Sequence, residues 1–556
     1  MSRRPAAAPH RERPFPFRVP VIFFVTLVWF GAFAMIGVDP HHDGIMLKCA
    51  ADVASGKRLF AESFCQYGDL VILLQAAALK VAGVHLLTIR WFTVLFYAGI
   101  AVLLDRLWRR FLRTAAARGL HLVLFWGMVP FTMVPFHPWS SVYALFFMLL
   151  AVEFLLSAIE RGEGGRIRRG LLFASGIAAG CAFGCRTPVG LVTVAAAALS
   201  GVLIAGSGKR RDENGEAGGG RAAAACSSFG GGALWWSLGA AAWPLAGAAR
   251  IVLSGAWQDY LHQCFRFTGR FAVERSGLAA TIAGGGGPAA MWGRISECLF
   301  PFVNSLWPID IFYGVLPLAV LTAGGWSLLL WLRGGRRISE TRLPILILFG
   351  LASWHQFYPV PCVRHLYWAS VPMFGAFVWL LQEMWSAFPE QPARRRMLRV
   401  AAAVLLIFPS AAVAWRLNFG LSNLSGMAKR RCAENIPVLR GMRLNREEAN
   451  LCRFISTVVR ELPPQVAEHG FLNATADGLF SLMMPEPKPA FRHPMFVNWG
   501  RGVYPDYPEK LSEFIAAARP VVLSEGVEPP FPGSMCIGEA GLRGCVYRFW
   551  IIPPAR

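Results

Sequence analysis

Long apolar stretches separated by short polar segments run through the first three quarters of the chain. Several are about 20 residues long, the length that a helix needs to cross a hydrocarbon core of about 30 Å. The pattern therefore predicts about eleven transmembrane helices. They are placed at 19–37, 86–104, 119–135, 140–158, 170–184, 188–206, 233–253, 311–332, 343–356, 366–382 and 398–415.

Two segments depart from this pattern. Residues 70–83 are apolar but too short to span comfortably, which predicts a helix lying along the outer surface. From residue 416 the sequence turns polar and proline-punctuated, with helical periodicity at 447–461 and 508–518 and short apolar strands at 520–523 and 544–550. The predicted fold class is mostly α, a polytopic helical membrane protein with a small external α/β C-terminal domain at 416–556.

Composition and charge support this class and predict an orientation. Only 16% of the residues are charged, against about 25% in an average soluble protein. The net charge of +22 lies largely in alternate short loops, among them those around Arg110, Arg168 and Arg395. By the positive-inside rule these loops and the basic N-terminus, 1–18, are cytoplasmic. We therefore expect a multi-pass protein of a bacterial-type inner membrane, with no role for nucleic acid.

The same orientation predicts which segments face outward. They are the first external loop at 38–85, a long external loop at 254–310 and the periplasmic C-terminal domain. The first apolar stretch is longer than a usual signal core, and no small-residue cleavage site precedes Asp39. We expect it to be a retained anchor. Outside the membrane, Cys536 and Cys545 bracket a predicted hairpin, and Cys432 and Cys452 form a second candidate pair for a disulfide, with free buried thiols as the alternative.

A polar cluster follows the first span directly. Residues 39–44, Asp-Pro-His-His-Asp-Gly, place two carboxylates and two imidazoles at a membrane boundary, where ionisable groups are costly and point to function. Asp43 precedes a glycine that permits close approach of a substrate or backbone. Asp39 has the alternative of capping the start of the loop.

Four stretches resemble the GT-C membrane glycosyltransferases, in particular the bacterial relatives of protein O-mannosyltransferases and of the lipid A aminoarabinose transferase. They are DPHHDGIMLKCAADVASGKRLFAESFCQYG from residue 39, HPWSS (137–141), CRTPVG (185–190) and QFYPVPCVRHLYW (356–368). The resemblance covers roughly 19–415. It implies a GT-C catalytic domain that transfers a sugar, with inversion, from a polyprenyl-phosphate donor to an acceptor hydroxyl on the outer face of the membrane. Partners would be that donor, membrane lipid and a glycan, lipid or protein acceptor.

This chemistry assigns expected roles. Asp43 is the predicted general base, because a carboxylate within reach of the acceptor hydroxyl can remove its proton. Positive groups must stabilise the departing lipid phosphate, and arginine suits phosphate because its planar fork binds two oxygens. The predicted substrate-binding residues are His41, His42, Tyr67, Arg90, Arg186, Arg364 and His365. No cofactor is certain. A divalent cation held by Asp43 and His42 is an open possibility.

Two other functions stay open at this stage. A transporter or flippase of lipid-linked sugars would show repeated span pairs and midplane charges, and neither is evident. A non-catalytic membrane assembly protein would tolerate loss of Asp43. The segment 254–310, with Trp257, Tyr260 and its Gly-rich part, has two open interpretations: a lid over the site, or an aromatic belt at the membrane interface.

Overall fold

A computed structural model describes residues 17–129, 136–161, 166–208, 219–269, 307–333, 340–357, 363–387, 391–433, 435–487, 491, 504, 506–526 and 533–552. The helices before the C-terminal domain are α1 (Arg18–Ala34), α2 (His42–Ala54), α3 (Asp69–Ala82), α4 (Leu86–Trp108), α5 (Ala115–Met128), α6 (Ser140–Glu160), α7 (Arg166–Cys185), α8 (Thr187–Gly208), α9 (Gly219–Leu253), α10 (Trp257–Leu261), α11 (Pro308–Arg333), α12 (Arg342–Ser353), α13 (Val363–Ser370), α14 (Phe374–Ser386) and α15 (Pro392–Gly426).

The fold is that of a multi-pass membrane protein. In the part of the chain that the structure describes, five helical segments are long and apolar enough to cross a bilayer: Leu86–Trp108, Ser140–Glu160, Thr187–Ala205, Ile309–Arg333 and Pro392–Lys429. Within the described residues, each of the eleven predicted spans overlaps helical structure; residues 130–135 of the span 119–135 lie outside them, and the span 366–382 is divided between two helices. Because the remaining helices are shorter or less apolar, the number of crossings stays a prediction.

Two elements differ from the sequence expectation. The predicted span 366–382 is broken into α13 and α14 by a 3₁₀ turn at Val371–Met373, where Pro372 cannot donate a helical hydrogen bond. The helix predicted to lie along the surface is α3, and one face of it is buried, since α3 packs between α2, α4 and α7. That face is covered by protein.

The helices meet around α4, which packs against α1, α3, α5 and α6. The loop after α1 and the turn before α6 therefore end on the same side of the bundle. An apolar groove of about 610 Å³ lies between α1, α5 and α15, lined by residues such as Val28, Trp126 and Leu417.

The C-terminal domain is a small mixed α/β unit, as predicted. Its elements are β1 (Arg431–Cys432), β2 (Arg443–Leu444), α16 (Arg446–Glu461), α17 (Pro464–Ala467), β3 (Phe471–Asn473), α18 (Tyr507–Ala518), β4 (Val521–Glu525), β5 (Met535–Leu542) and β6 (Cys545–Ile551). The four-stranded sheet has the order β3-β4-β6-β5, with β3 and β4 parallel and the other pairs antiparallel. A capping box between Asn445 and Glu448 starts α16.

The two expected disulfides are not formed. Cys536 lies opposite Trp550 and Cys545 lies opposite Leu542, so the two thiols sit at opposite ends of the β5–β6 hairpin. Cys432 is exposed on β1, whereas Cys452 is buried in α16, and both are free.

Candidate functional site

The Asp-Pro-His-His-Asp-Gly sequence (the DPHHDG loop, residues 39–44) turns the chain from α1 into α2. Asp39 Oδ1 accepts hydrogen bonds from the backbone N–H groups of His41 and His42, at 3.1 and 3.0 Å. A carboxylate that accepts from the first amides of a helix acts as a cap. Its Oδ2 lies 2.9 Å from Nδ1 of His42. Burial acts to raise the pKa of Asp39, but the hydrogen bonds and charge of His42 and the charge of His137 outweigh it and hold the pKa well below its usual range.

Asp43 lies in the first turn of α2 and is fully buried. Its Oδ2 accepts from Arg90 Nη2 at 2.6 Å and from the backbone N–H of Asp39 at 2.9 Å. Its Oδ1 is buried without a hydrogen-bond partner. The carboxylate is thus oriented by one oxygen and leaves the other available.

Arg90 is also fully buried and holds this arrangement together. Its Nη1 donates to the carbonyl oxygens of Ala34, Ile36 and Gly37, at 2.9, 3.3 and 3.0 Å. Since both terminal nitrogens are occupied by protein groups, Arg90 ties the end of α1 to Asp43. In this arrangement it does not present a free edge to a phosphate, the role that the sequence predicted for it.

His137, in the turn before α6, faces both carboxylates. Its Nδ1 lies 3.8 Å from Asp43 Oδ1 and its Nε2 lies 3.9 Å from Asp39 Oδ2, distances that are too long for hydrogen bonds. Both ring nitrogens are buried, and neither has a hydrogen-bond partner in the part of the chain that the structure describes. Burial lowers the pKa of His137 although the carboxylates act against it, so the ring is neutral at pH 7.

Three of these side chains form a candidate group for holding a metal ion. Candidate ligand atoms of Asp39, His42 and His137 all lie within 4.8 Å of one another. The sequence named Asp43 with His42 for a cation. In the structure the candidate group joins His42 with Asp39 and His137, and Asp43 Oδ2 is bound to Arg90.

The C-terminal domain contacts the DPHHDG loop directly. His41 Nδ1 lies 2.7 Å from the carbonyl oxygen of Ala476, and the backbone N–H of Leu479 donates to the carbonyl oxygen of Pro40 at 3.2 Å. Gly44 packs so closely on this segment that a Cβ would lie 2.1 Å from the Leu479 nitrogen. Asp477 of the same segment is 3.9 Å from His41 Nδ1 and accepts a hydrogen bond from Tyr547 at 2.7 Å.

Arg186 brings three of the predicted motifs together. It follows α7, and its Nη1 donates to Ser141 Oγ in the first turn of α6. Its charge also acts on Tyr67 and on His355. Burial raises the pKa of Tyr67 to about 12, so its phenol is protonated at neutral pH. Gly68 lets its segment pack against the end of α7, since a Cβ there would lie 2.1 Å from the carbonyl oxygen of Gly184.

A line of aromatic rings joins α13 to the DPHHDG loop. The rings of Trp368 and Trp139 are 5.3 Å apart, and Trp139 is 4.8 Å from the ring of His42. His365 lies beside this line, 6.4 Å from Trp139. Arg364 is in the first turn of α13, but its side chain is outside the described residues, as are the Gly-rich segment 279–290 and most of the expected lid.

Sequence reasoning missed His137 as a ligand-type residue and Asp477 as a neighbour of the site. His137 belongs to the HPWSS stretch that carried the family resemblance, so its motif was a usable signal. Asp477 stands in a segment with no chemical pattern, and only folding brings it to His41.

Comparisons with known proteins agree with this architecture. No protein-family profile and no curated protein sequence matches the chain. Among solved structures, ArnT from Cupriavidus metallidurans bound to undecaprenyl phosphate is similar over 96% of this chain and 97% of its own, with a TM-score of 0.52 and 13% identity. The apo state of ArnT matches over the same shares with a TM-score of 0.52 and 12% identity. The apo oligosaccharyltransferase of Archaeoglobus fulgidus gives a TM-score of 0.47 at 11% identity, over 92% of this chain and 70% of its own.

The likeness to ArnT extends over nearly the whole of both chains, including the C-terminal domain. At such low identity it establishes the fold. The resemblance drawn from the sequence motifs is thereby confirmed at the level of the fold, and the chain has the fold of ArnT.

Proposed function

We propose that this protein is an inverting membrane glycosyltransferase that moves a sugar from a polyprenyl-phosphate donor to an acceptor hydroxyl on the outer face of the membrane. The observation that carries the proposal is the full-length likeness to ArnT, a protein crystallised with undecaprenyl phosphate. The buried carboxylate and histidine centre at the start of α2 supports it, because such costly groups are retained where chemistry uses them.

Asp43 is the proposed general base. Its Oδ2 is held by Arg90 and its Oδ1 has no partner, so one oxygen is oriented while the other can take the proton of the acceptor hydroxyl. As the hydroxyl oxygen attacks the anomeric carbon, the bond from that carbon to the lipid phosphate breaks. Positive charge near the departing phosphate is proposed to come from Arg186 and from α13, with its Arg364 and His365.

We also propose that Asp39, His42 and His137 hold a divalent cation. The two unpartnered nitrogens of neutral His137 and the short ligand separations fit an ion bound by nitrogen and carboxylate oxygen. A bound cation would add positive charge beside the phosphate of the donor.

The test is sugar transfer by purified protein in detergent or vesicles, supplied with polyprenyl-phosphate sugars, with release of lipid phosphate as the readout. Asp43→Asn keeps the shape of the side chain but cannot accept the proton, and we expect turnover to fall by about 10²- to 10⁴-fold. Glu62→Gln is the matched control, since the Glu62 carboxylate contacts Arg58 in the same exposed loop, through an ion pair and a hydrogen bond from the Arg58 backbone N–H.

Two results would contradict the proposal. Full turnover in Asp43→Asn removes the base assignment while leaving the transferase intact. Movement of the lipid-linked sugar across vesicle membranes without release of lipid phosphate replaces transfer with transport.

A further inference from the structure

Arg416 is a buried cation that the proposed mechanism does not use. It lies on α15 just after the apolar stretch and is 1% exposed, one of the largest fully buried side chains of the described residues. Nearby Trp415 is 46% exposed and Trp307 is 62% exposed, and their rings are 6.1 Å apart. Exposed tryptophans are typical of the membrane interface. Arg416 therefore points inward at the level of an interface.

The contacts of Arg416 are few. Its Nη1 donates to the hydroxyl oxygen of Tyr367 at 2.8 Å, and the guanidinium carbon lies 4.6 Å from the centroid of the same ring. Nε and Nη2 are buried with no hydrogen-bond partner. Among the residues that the structure describes, no carboxylate forms an ion pair with it within 4.0 Å.

An arrangement of this kind is unfavourable by itself. A desolvated charge without a counter-ion is strongly penalised, and each buried donor without an acceptor adds to the penalty. The contrast with Arg90 is direct, because Arg90 is equally buried yet is paired with Asp43 and three carbonyl oxygens. Arg416 is a buried cation whose unpartnered donors are expected to bind an anion.

The two free nitrogens also have the right geometry. Nε and Nη2 form one edge of the guanidinium, and two parallel N–H groups on one edge match two oxygens of a phosphate. Tyr367 occupies the other terminal nitrogen, which fixes the plane of the fork.

Arg416 has neighbours that lead both to the candidate site and to the apolar groove between α1, α5 and α15. Tyr367 is followed in α13 by Trp368, whose ring begins the aromatic line to His42. On α15, Val413 and Leu417 line the apolar groove within one helical turn of Arg416. A lipid with one charged end thus finds an apolar surface and an uncompensated cation at the same level of one helix.

We infer that Arg416, oriented by Tyr367, binds the phosphate of the polyprenyl carrier, whose chain lies in the groove between α1, α5 and α15. The inference rests on the proposed function for the identity of the lipid. Because the guanidinium is almost fully covered, the phosphate reaches it only when surrounding side chains move. We expect binding to appear as a rise in thermal stability.

The test measures unfolding temperature with polyprenyl phosphate alone, without sugar, for the wild type, Arg416→Gln and Arg416→Lys. The carrier should stabilise the wild type, stabilise the lysine variant less and leave the glutamine variant almost unchanged. Without carrier, Arg416→Gln should be no less stable than the wild type, because the change removes an uncompensated buried charge. In transfer assays the KM for the donor should rise on the order of 10- to 100-fold, with a smaller change in kcat.

Arg399→Gln is the control, since Arg399 lies on the same helix but is exposed and packs on Trp385. Polyprenol without phosphate is the ligand control, and inorganic phosphate tests a headgroup without its chain. Two results would overturn the inference. One is that polyprenol stabilises the wild type as much as polyprenyl phosphate does. The other is that Arg416→Gln is less stable than the wild type without ligand and still binds the carrier as the wild type does. If the wild type transfers sugar and Arg416→Gln keeps its KM, the inference fails and the function stands. If no sugar is transferred but carrier binding depends on Arg416, the proposed function fails and the inference that Arg416 binds the carrier stands.

Discussion

Arg90 and His137 show how burial decides the role of a polar side chain. Arg90 donates hydrogen bonds to Asp43 and to carbonyl oxygens at the end of α1, so it orients a carboxylate. Neither ring nitrogen of His137 makes a hydrogen bond to a described residue, although the ring lies within 4 Å of two carboxylates. Because buried polar atoms are nearly always paired, the unpaired ones mark where a proton, an ion or a ligand is expected.

His137→Ala should reduce bound divalent metal. The change removes one of three ligands, and loss of a ligand weakens metal binding strongly. The measurement is metal content by elemental analysis after dialysis against trace Zn²⁺ or Mn²⁺. His121→Ala is the control, because His121 is buried in α5 away from the carboxylates. Equal metal content in the wild type and His137→Ala would remove the cation from the proposed site.

Asp477→Asn should stabilise the protein at neutral pH. Burial raises the pKa of Asp477 to about 6, with the hydrogen bond from Tyr547 acting in the opposite direction. Since the folded pKa lies above the unfolded value, the folded state binds the proton more tightly, and stability falls as pH rises from about 4 to 6. At pH 7.5 the penalty is up to about 3 kcal/mol.

The variant should therefore raise the unfolding temperature more at pH 7.5 than at pH 4.5. Asp506→Asn, in an exposed ion pair with Lys510 of the same domain, should show no such pH dependence. A loss of stability at pH 7.5 in Asp477→Asn would show that the charged carboxylate is needed for folding.

At the scale of elements, the DPHHDG loop is held between the helical bundle and the C-terminal domain. Arg90 holds it from α4, and the segment around Leu479 holds it from the other side. Lys48 and Lys57 near α2 share Glu486, which adds a further link. The loop geometry thus depends on contacts from two parts of the chain that are far apart in sequence.

Gly44→Ala tests this dependence. The backbone at Gly44 is helical, so alanine is compatible with it, but the new Cβ would lie 2.1 Å from the Leu479 nitrogen. We expect a destabilisation of about 1–3 kcal/mol, and at least a tenfold loss of transfer as the domain is displaced from the loop. In α5, Gly119→Ala meets nothing within 4 Å and should be neutral or stabilising. Normal activity and melting in Gly44→Ala would mean that the domain contact does not shape the site.

At the scale of the whole molecule, orientation in the membrane is the open prediction. Cys432 and Cys536 are exposed on the C-terminal domain, and Arg169 is exposed at the start of α7. With the C-terminal domain outside, a membrane-impermeant maleimide added to right-side-out vesicles should label the two cysteines. An Arg169→Cys residue should react only after permeabilisation. Mass spectrometry of the labelled peptides is the readout, and the opposite pattern would invert the topology.

Much of the helical architecture could be predicted because it depends on local physics. A run of apolar residues satisfies its backbone within one helix whatever surrounds it, so α1, α4 and α6 follow from hydropathy. The mixed sheet was also indicated by strand patterns at 520–523 and 544–550. Disulfide pairing failed because register decides it, and register places Cys536 and Cys545 at opposite ends of the hairpin.

The sequence by itself determined that this is a multi-pass helical protein with an ionisable loop after its first helix, since composition and periodicity are properties of neighbouring residues. Only the tertiary structure decided what each ionisable group does. It paired Arg90 with Asp43, set His137 between two carboxylates, placed Ala476 against His41 and left Arg416 without a counter-ion among the described residues. The contacts among these join residues from 40 to more than 400 positions apart in the sequence, so no local sequence pattern predicts them. The free-energy cost of burying charge decides which groups pair.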